Sequence, residues 1–154
     1  MNLMLVGVIS DIHGHLSQRA AKALDGVDMI LCAGDIERPS ILWELEAIAP
    51  TICVLGNCDH RDMGPSVKPI ASPLIEGVRF RMVHRPQDNG EIPDDVQVVI
   101  NGHTHIPRDE VIGKVRYLNP GSTSRPRGGS SKSLILMTVR DGAVRSVKFV
   151  DLTW

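Results

Sequence analysis

Aromatic side chains are scarce in this chain: two phenylalanines, two tryptophans and one tyrosine in 154 residues. That leaves no stacking platform for single-stranded nucleic acid, whose bases need rings along a groove. Charge of one sign is lacking too. Seventeen lysines and arginines nearly balance eighteen acids, the formal net charge is −1, and nothing pulls the protein generically onto phosphate backbones or anionic lipid. No apolar run approaches the roughly 20 residues needed to cross a bilayer, and the run from Leu3 to Ile9 has neither a positive flank nor a small-residue cleavage site. A cytoplasmic location is expected, with no dedicated nucleic-acid or membrane surface. The three cysteines, Cys32, Cys53 and Cys58, are too few for a disulfide framework and lack the paired spacing of structural zinc. Cys32 and Cys53 read as buried strand residues.

What is present suits one domain over residues 1–154: 42% of the chain is hydrophobic, enough for a real core, and no repeat or linker divides it. Leu3 to Ile9, Val27 to Ala33 and Thr51 to Leu55 are continuous apolar runs, the mark of strands buried on both faces. Between them Leu16 to Leu24 has helical spacing, and Ser40 is the expected cap of a helix that Pro50 closes. This β-α-β-α-β opening predicts a parallel sheet with right-handed crossovers. From Pro65 short strands and tight turns follow: Ala71 to Ile75, Val78 to Val83 after Glu76-Gly77, Val96 to Ile100, a hairpin at Gly113-Lys114 and a last hairpin around Asp141-Gly142. That half is expected to be mostly antiparallel.

Chemistry collects where strands end. Asp11 and His13 follow the first run, Asp35 the second, Asn57 the third, His84 a fourth, and Gly102-His103-Thr104-His105 a fifth. Ligands of open α/β sheets bind at such carboxyl ends. In extended backbone, residues i and i+2 leave on one face, so His103 with His105, and Asp11 with His13, are predicted to share a pocket. Carboxylate and amide oxygens with imidazole nitrogens suit Mn, Fe or Zn. Taken singly, each has a plainer reading: strand-end turn residues for Asp11 and Asp35, an Asx turn for Asn57, surface imidazoles for the His pair. Their joint placement argues for a metal site. Trp43 and Trp154 are assigned to packing, His15 to the start of the first helix, His60 to the surface, and Asp59 and Asp62 to ordering the loop around them.

The ordered series Asp-x-His, Gly-Asp, Gly-Asn-Cys-Asp, a lone His, Gly-His-Thr-His and Asn-Pro-Gly-Ser, from Ser10 to Ser122, resembles the calcineurin-like metallophosphoesterases, in particular their small, cap-less phosphodiesterase branch. The resemblance implies an α/β (α+β) fold of two mixed β-sheets packed as a sandwich with flanking helices. It implies two divalent metal ions, Mn first with Ni, Fe, Zn or Mg as alternatives, one held by Asp11, His13, Asp35 and His105, the other by Asp35, Asn57, His84 and His103. The activity implied is hydrolysis of a small phosphodiester by in-line attack of a hydroxide shared by the two metals, with Asn57, Cys58 and His103 nearest the chemistry. Arg127 and Arg85 are the candidate phosphate-binding residues, since a guanidinium matches phosphate oxygens in a fork. Two departures stand out. Cys58 occupies a position where many relatives have His, and a thiol is the weaker proton donor. His84-Arg85-Pro86 replaces the common His-Gly-His, and the helix expected after it is shortened or absent. Other readings are a non-catalytic scaffold on the same fold, which would erode the ligands, and a phosphomonoesterase or nucleotide hydrolase, which would need a further binding wall. Homo-oligomerisation through strand edges is a further expectation.

Overall fold

The computed structural model describes residues 3–59 and 63–153. The expectations for His60, Asp62 and Trp154 therefore lie outside the described residues. In chain order the elements are β1 (Met4–Ile9), α1 (Gln18–Ala23), β2 (Met29–Cys32), α2 (Pro39–Ile48), β3 (Thr51–Cys53), β4 (Ile70–Ala71), β5 (Leu74–Ile75), β6 (Val78–Val83), β7 (Val96–Ile100), β8 (Arg108–Ile112), β9 (Val115–Asn119), β10 (Ser133–Arg140) and β11 (Ala143–Asp151). A single 3-10 turn, Pro86–Asp88, follows His84, so the helix expected there is indeed reduced to one turn.

Two mixed sheets result. The first has strand order β11-β10-β1-β2-β3 and the second β4-β6-β7-β9-β8, with β5 also on β6. In the first, β1, β2 and β3 run parallel and the last hairpin is added antiparallel. Alternation along these strands sends Val6, Val8 and Leu31 towards the second sheet, where Phe80, Met82, Val98, Ile100 and Leu118 meet them. Ile9, Ile30 and Cys32 point the other way, onto Leu24, Ile41 and Leu45. Both faces are covered, which is why these strands are apolar throughout. The outer face of the second sheet carries only a small cluster of Val96, Val99 and Val115, and β8 is exposed along most of its length.

Three expectations need correction. The centre of the second sheet is parallel, β6 with β7 and β7 with β9, although antiparallel hairpins flank it. Its crossovers contain no α-helix, so the helical period that marks a parallel connection is missing from the sequence. Ser40 does not cap α2: the cap position is Arg38, two residues earlier, and the helix starts at Pro39, whose fixed φ suits the first helical position. α1 is capped by Ser17, whose side chain accepts from the Ala20 N–H. Trp43 is not packed but 66% exposed. Among the described residues, no helix is long and apolar enough to cross a membrane.

Candidate metal centre

The carboxyl ends of β1, β2, β3, β6 and β7 meet at one edge of the sandwich, and each delivers polar side chains to it. The loops close on one another through backbone bonds: Asp11 N–H donates to Gly34 O at 2.9 Å, His13 N–H to Asp35 O at 2.9 Å, and Gly102 N–H to His84 O at 2.9 Å. Glycine is required where they touch. A Cβ on Gly56 would stand 2.1 Å from Asp35 Oδ1, and one on Gly102 would stand 2.0 Å from Ser10 Oγ and 2.6 Å from Asp11 Oδ2.

The paired ligands converge, but not through extended backbone. Asp11 (φ 55°), His13 (φ 50°), Asp35 (φ 58°), Glu37 (φ 69°), His103 (φ 71°) and His105 (φ 61°) all adopt left-handed conformations. Such backbone costs a non-glycine residue free energy, on the order of 1–3 kcal/mol at a strained site, and persists only where the surroundings enforce it. Three i, i+2 pairs thus repeat one device at three strand ends.

Of the predicted ligands, Asp11, Asp35, His84 and His105 are buried and His13 and His103 half-buried, while Asn57 is exposed. Donor atoms of Asp11, His13 and His105 all lie within 4.8 Å of one another, as do those of Asp11, Asp35 and His84. Asp11 Oδ1 stands 3.2 Å from His105 Nε2, 3.8 Å from His84 Nε2 and 3.9 Å from His13 Nε2, and His13 Nε2 is 3.2 Å from His105 Nε2. His84 Nε2 is 3.1 Å from Asp35 Oδ2 without the alignment of a hydrogen bond. Across the opening, His103 Nδ1 meets Asn57 Oδ1 at 3.1 Å. The carboxylate common to both groups is Asp11, whereas Asp35 presents Oδ2 to His84 and has Oδ1 held by the Cys58 N–H at 2.8 Å.

The other ring nitrogens are engaged behind the centre. His84 Nδ1 donates to Ala33 O at 2.6 Å and His105 Nδ1 to Arg125 O at 2.6 Å, which leaves Nε2 of both facing the carboxylates as an acceptor for a cation. His13 Nδ1 pairs with the Glu37 carboxylate. Sequence reasoning missed Glu37, although Asp35-x-Glu37 repeats the Asp11-x-His13 spacing and could have pointed to it. Asp59 orders the loops as expected, accepting from the backbone N–H groups of Asp35, Glu37 and Gly56 at 2.9, 2.7 and 2.9 Å.

The electrostatics call for a cation. Burial pushes the Asp11 carboxyl above the usual carboxylate range, more than Ser10 and the nearby imidazoles lower it. Burial also works on Asp35, but His84, the Cys58 N–H and the charge of His13 together outweigh it and hold that carboxyl at about 2. His84 is desolvated, yet Asp35 and Asp11 raise it. His103 is lowered, by burial and then by His84. Asp11 Oδ1 and His84 Nε2 are buried with no hydrogen-bond partner. A buried polar atom without a hydrogen bond is costly, and a divalent ion among these donors would satisfy both atoms. The residues present fit a metal.

The remaining predicted residues lie around this core. Cys58 is exposed at the opening, and partial desolvation of its thiol together with Asp35 raises it above the ordinary thiol value. Arg85 is engaged by Asp88, Nε to Oδ2 at 2.8 Å. Arg127 is exposed, with its backbone N–H on His105 O at 3.3 Å.

Residues 4–142 match a family model described as the calcineurin-like phosphoesterase superfamily domain. The chain is 36% identical over 138 residues to a probable metallophosphoesterase of Methanothermobacter thermautotrophicus, covering 80% of each. It is 31% identical over 157 residues to the phosphodiesterase YfcE of Escherichia coli, covering 85% of each. A solved structure of YfcE from E. coli, described as a phosphoesterase, superposes with a TM-score of 0.73 at 26% identity, over 94% of this chain and 98% of that one.

Proposed function

Because the chain belongs to the calcineurin-like phosphoesterase superfamily, in the small branch that includes YfcE, and is a phosphoric ester hydrolase, we propose that it hydrolyses phosphodiesters with the aid of two divalent metal ions. The observation that carries this reading is the pair of buried atoms without a hydrogen bond, Asp11 Oδ1 and His84 Nε2, set among imidazoles whose far nitrogens are already engaged. In the family pattern Asp11, His13, Asp35 and His105 would hold one ion, and Asp35, Asn57, His84 and His103 the other. Asp35 is the carboxylate offered to both in the family pattern. When bound, the ions neutralise charge on the phosphoryl oxygens and acidify the attacking water. The donor set of oxygens and imidazoles without thiolate accepts Mn, Ni, Fe or Zn; Mn is the first choice carried from the family resemblance, with Ni, Fe, Zn or Mg as alternatives.

Asn57 and Cys58 are exposed and His103 is half-buried, so the phosphoryl group approaches from their side. His103 and Asn57 orient it there. Cys58 places a thiol rather than an imidazolium beside the departing oxygen, a weaker proton donor, and the favoured esters are those with good leaving groups. Arg127 attracts the anion from the loop that supports His105. A scaffold role would tolerate erosion of the ligands, and all seven ligand positions hold metal-competent residues.

The test is hydrolysis of bis(p-nitrophenyl) phosphate against p-nitrophenyl phosphate with added Mn²⁺, repeated with Asp35→Asn and His105→Ala. The diester is expected to be the better substrate and both variants to lose activity by a factor of 100 or more. Equal activity in the variants, or preference for the monoester, would refute the reading.

A further inference from the structure

Beside the metal centre lies a cavity of about 380 Å³, near the lower end of the range for small-molecule pockets. It is continuous with the centre, because Asn57 and His84 both line it. The rest of its wall has a different chemistry. Leu55, Pro69, Ile70 and Val83 contribute carbon. The two side chains of fixed charge on it, Arg85 and Asp88, are bonded to each other through Nε–Oδ2 at 2.8 Å and Nη2–Oδ1 at 3.3 Å, so neither presents an uncompensated charge to a ligand. Among the described residues no phenyl, phenol or indole ring lines it, and few side-chain donors or acceptors are left for the edges of a base or the hydroxyls of a sugar. Ile70, on the two-residue strand β4, is left 45% exposed at this place, and covering such a side chain with an apolar group is favourable.

We propose that this cavity is the subsite for the ester substituent that stays on phosphorus, and that this substituent is a small apolar group, aryl or alkyl, rather than a nucleoside. The inference rests on the phosphodiesterase reading and names its substrate class. With the phosphoryl group at Asn57 and His84, one of its two ester oxygens points along the wall that these residues share with Ile70. The other is directed to solvent on the Cys58 side and leaves.

Binding tests this without relying on turnover. Phenylphosphonate and methylphosphonate are titrated calorimetrically into the Mn²⁺-loaded full chain, then into Ile70→Ser and into Leu74→Ser, a 60% exposed apolar side chain that does not line the cavity. Phenylphosphonate is expected to bind at least tenfold more tightly than methylphosphonate. Ile70→Ser narrows that ratio threefold or more, and Leu74→Ser leaves it as it was. A ratio near one, a ratio indifferent to Ile70→Ser, or failure of both phosphonates to bind overturns the proposal. Failure of the phosphodiesterase reading looks different: phosphonates bind with the expected ratio, and bis(p-nitrophenyl) phosphate is not turned over.

Discussion

Both ends of the sandwich contain side-chain-bearing residues at positive φ, and they arrive there by different routes. At the hairpin end these are Glu76 (φ 46°) and Asp141 (φ 50°), each followed by a glycine also at positive φ. That is the two-residue turn whose twist matches antiparallel strands, and the two turns meet where Gly142 N–H donates to Glu76 O at 2.8 Å. At the ligand end six such residues occur among the described residues, and none of them belongs to a hairpin. Their conformation is set by loops from different strands closing on one another, with glycines where a Cβ has no room. A local rule fixes one end and a tertiary arrangement fixes the other. Strain at the ligand end is offset by surrounding packing, and it aims carboxylates and imidazoles at a common point.

The largest effect is expected where the tertiary arrangement has least slack. Gly102→Ala puts a methyl group against Ser10 Oγ and Asp11 Oδ2, and overpacking of this kind costs on the order of 1–3 kcal/mol. Urea denaturation reads that loss, and metal titration of the same variant is expected to show the site weakened with it. Wild-type stability and metal affinity together would break the comparison. Next is Glu37→Gln, which removes the carboxylate behind His13. Outer-shell partners of a metal-binding His are worth about 10–100-fold in metal affinity, so a drop in that range is expected by competition with a chelator, with the fold intact by circular dichroism. At the hairpin end Glu76→Gly relieves a local conformational cost and adds unfolded-chain entropy, so stability is expected to change by less than about 1 kcal/mol and metal affinity not at all.

The smallest effect belongs to a pair outside both ends. Arg116 on β9 grips Asp109 on β8 with Nε–Oδ1 and Nη2–Oδ2 both at 2.7 Å, and this holds the carboxyl below its usual value. A depressed folded pKa means that the stabilisation is complete above the unfolded pKa of about 3.9 and is lost as pH falls through the folded value. A double-mutant cycle with Asp109→Asn and Arg116→Gln is expected to give about 0.5 kcal/mol at pH 7, as for exposed pairs, and to decline as pH falls below about 3.9. A coupling that grows on acidification would contradict it.

The same contrast explains what could be read from the sequence. Glu76-Gly77 and Asp141-Gly142 announce their turns because the rule is local. Asp11, His13, Asp35, Asn57, His84, His103 and His105 are legible because each follows an apolar run, and parallel strands bring such ends together. Their backbone is not legible: extended spacing predicts a shared face, and left-handed residues achieve it instead, held by neighbours from other strands. Glu37 carries the same i, i+2 spacing after Asp35, but its pairing with His13 arises only in the folded loop. The parallel centre of the second sheet escaped because its crossovers are a 3-10 turn and a hairpin. Trp43 misleads because a large apolar residue on a helix normally packs, and nothing in the structure explains its exposure.

The most direct test is the metal content of the purified chain after Mn²⁺ loading and removal of unbound ion, compared with Asp35→Asn prepared in parallel. Close to two ions per chain in the wild type, falling to one or fewer in the variant, is the predicted result. A wild-type chain that retains no ion, or a variant that retains as much as the wild type, would contradict the assignment of these strand ends to a binuclear centre.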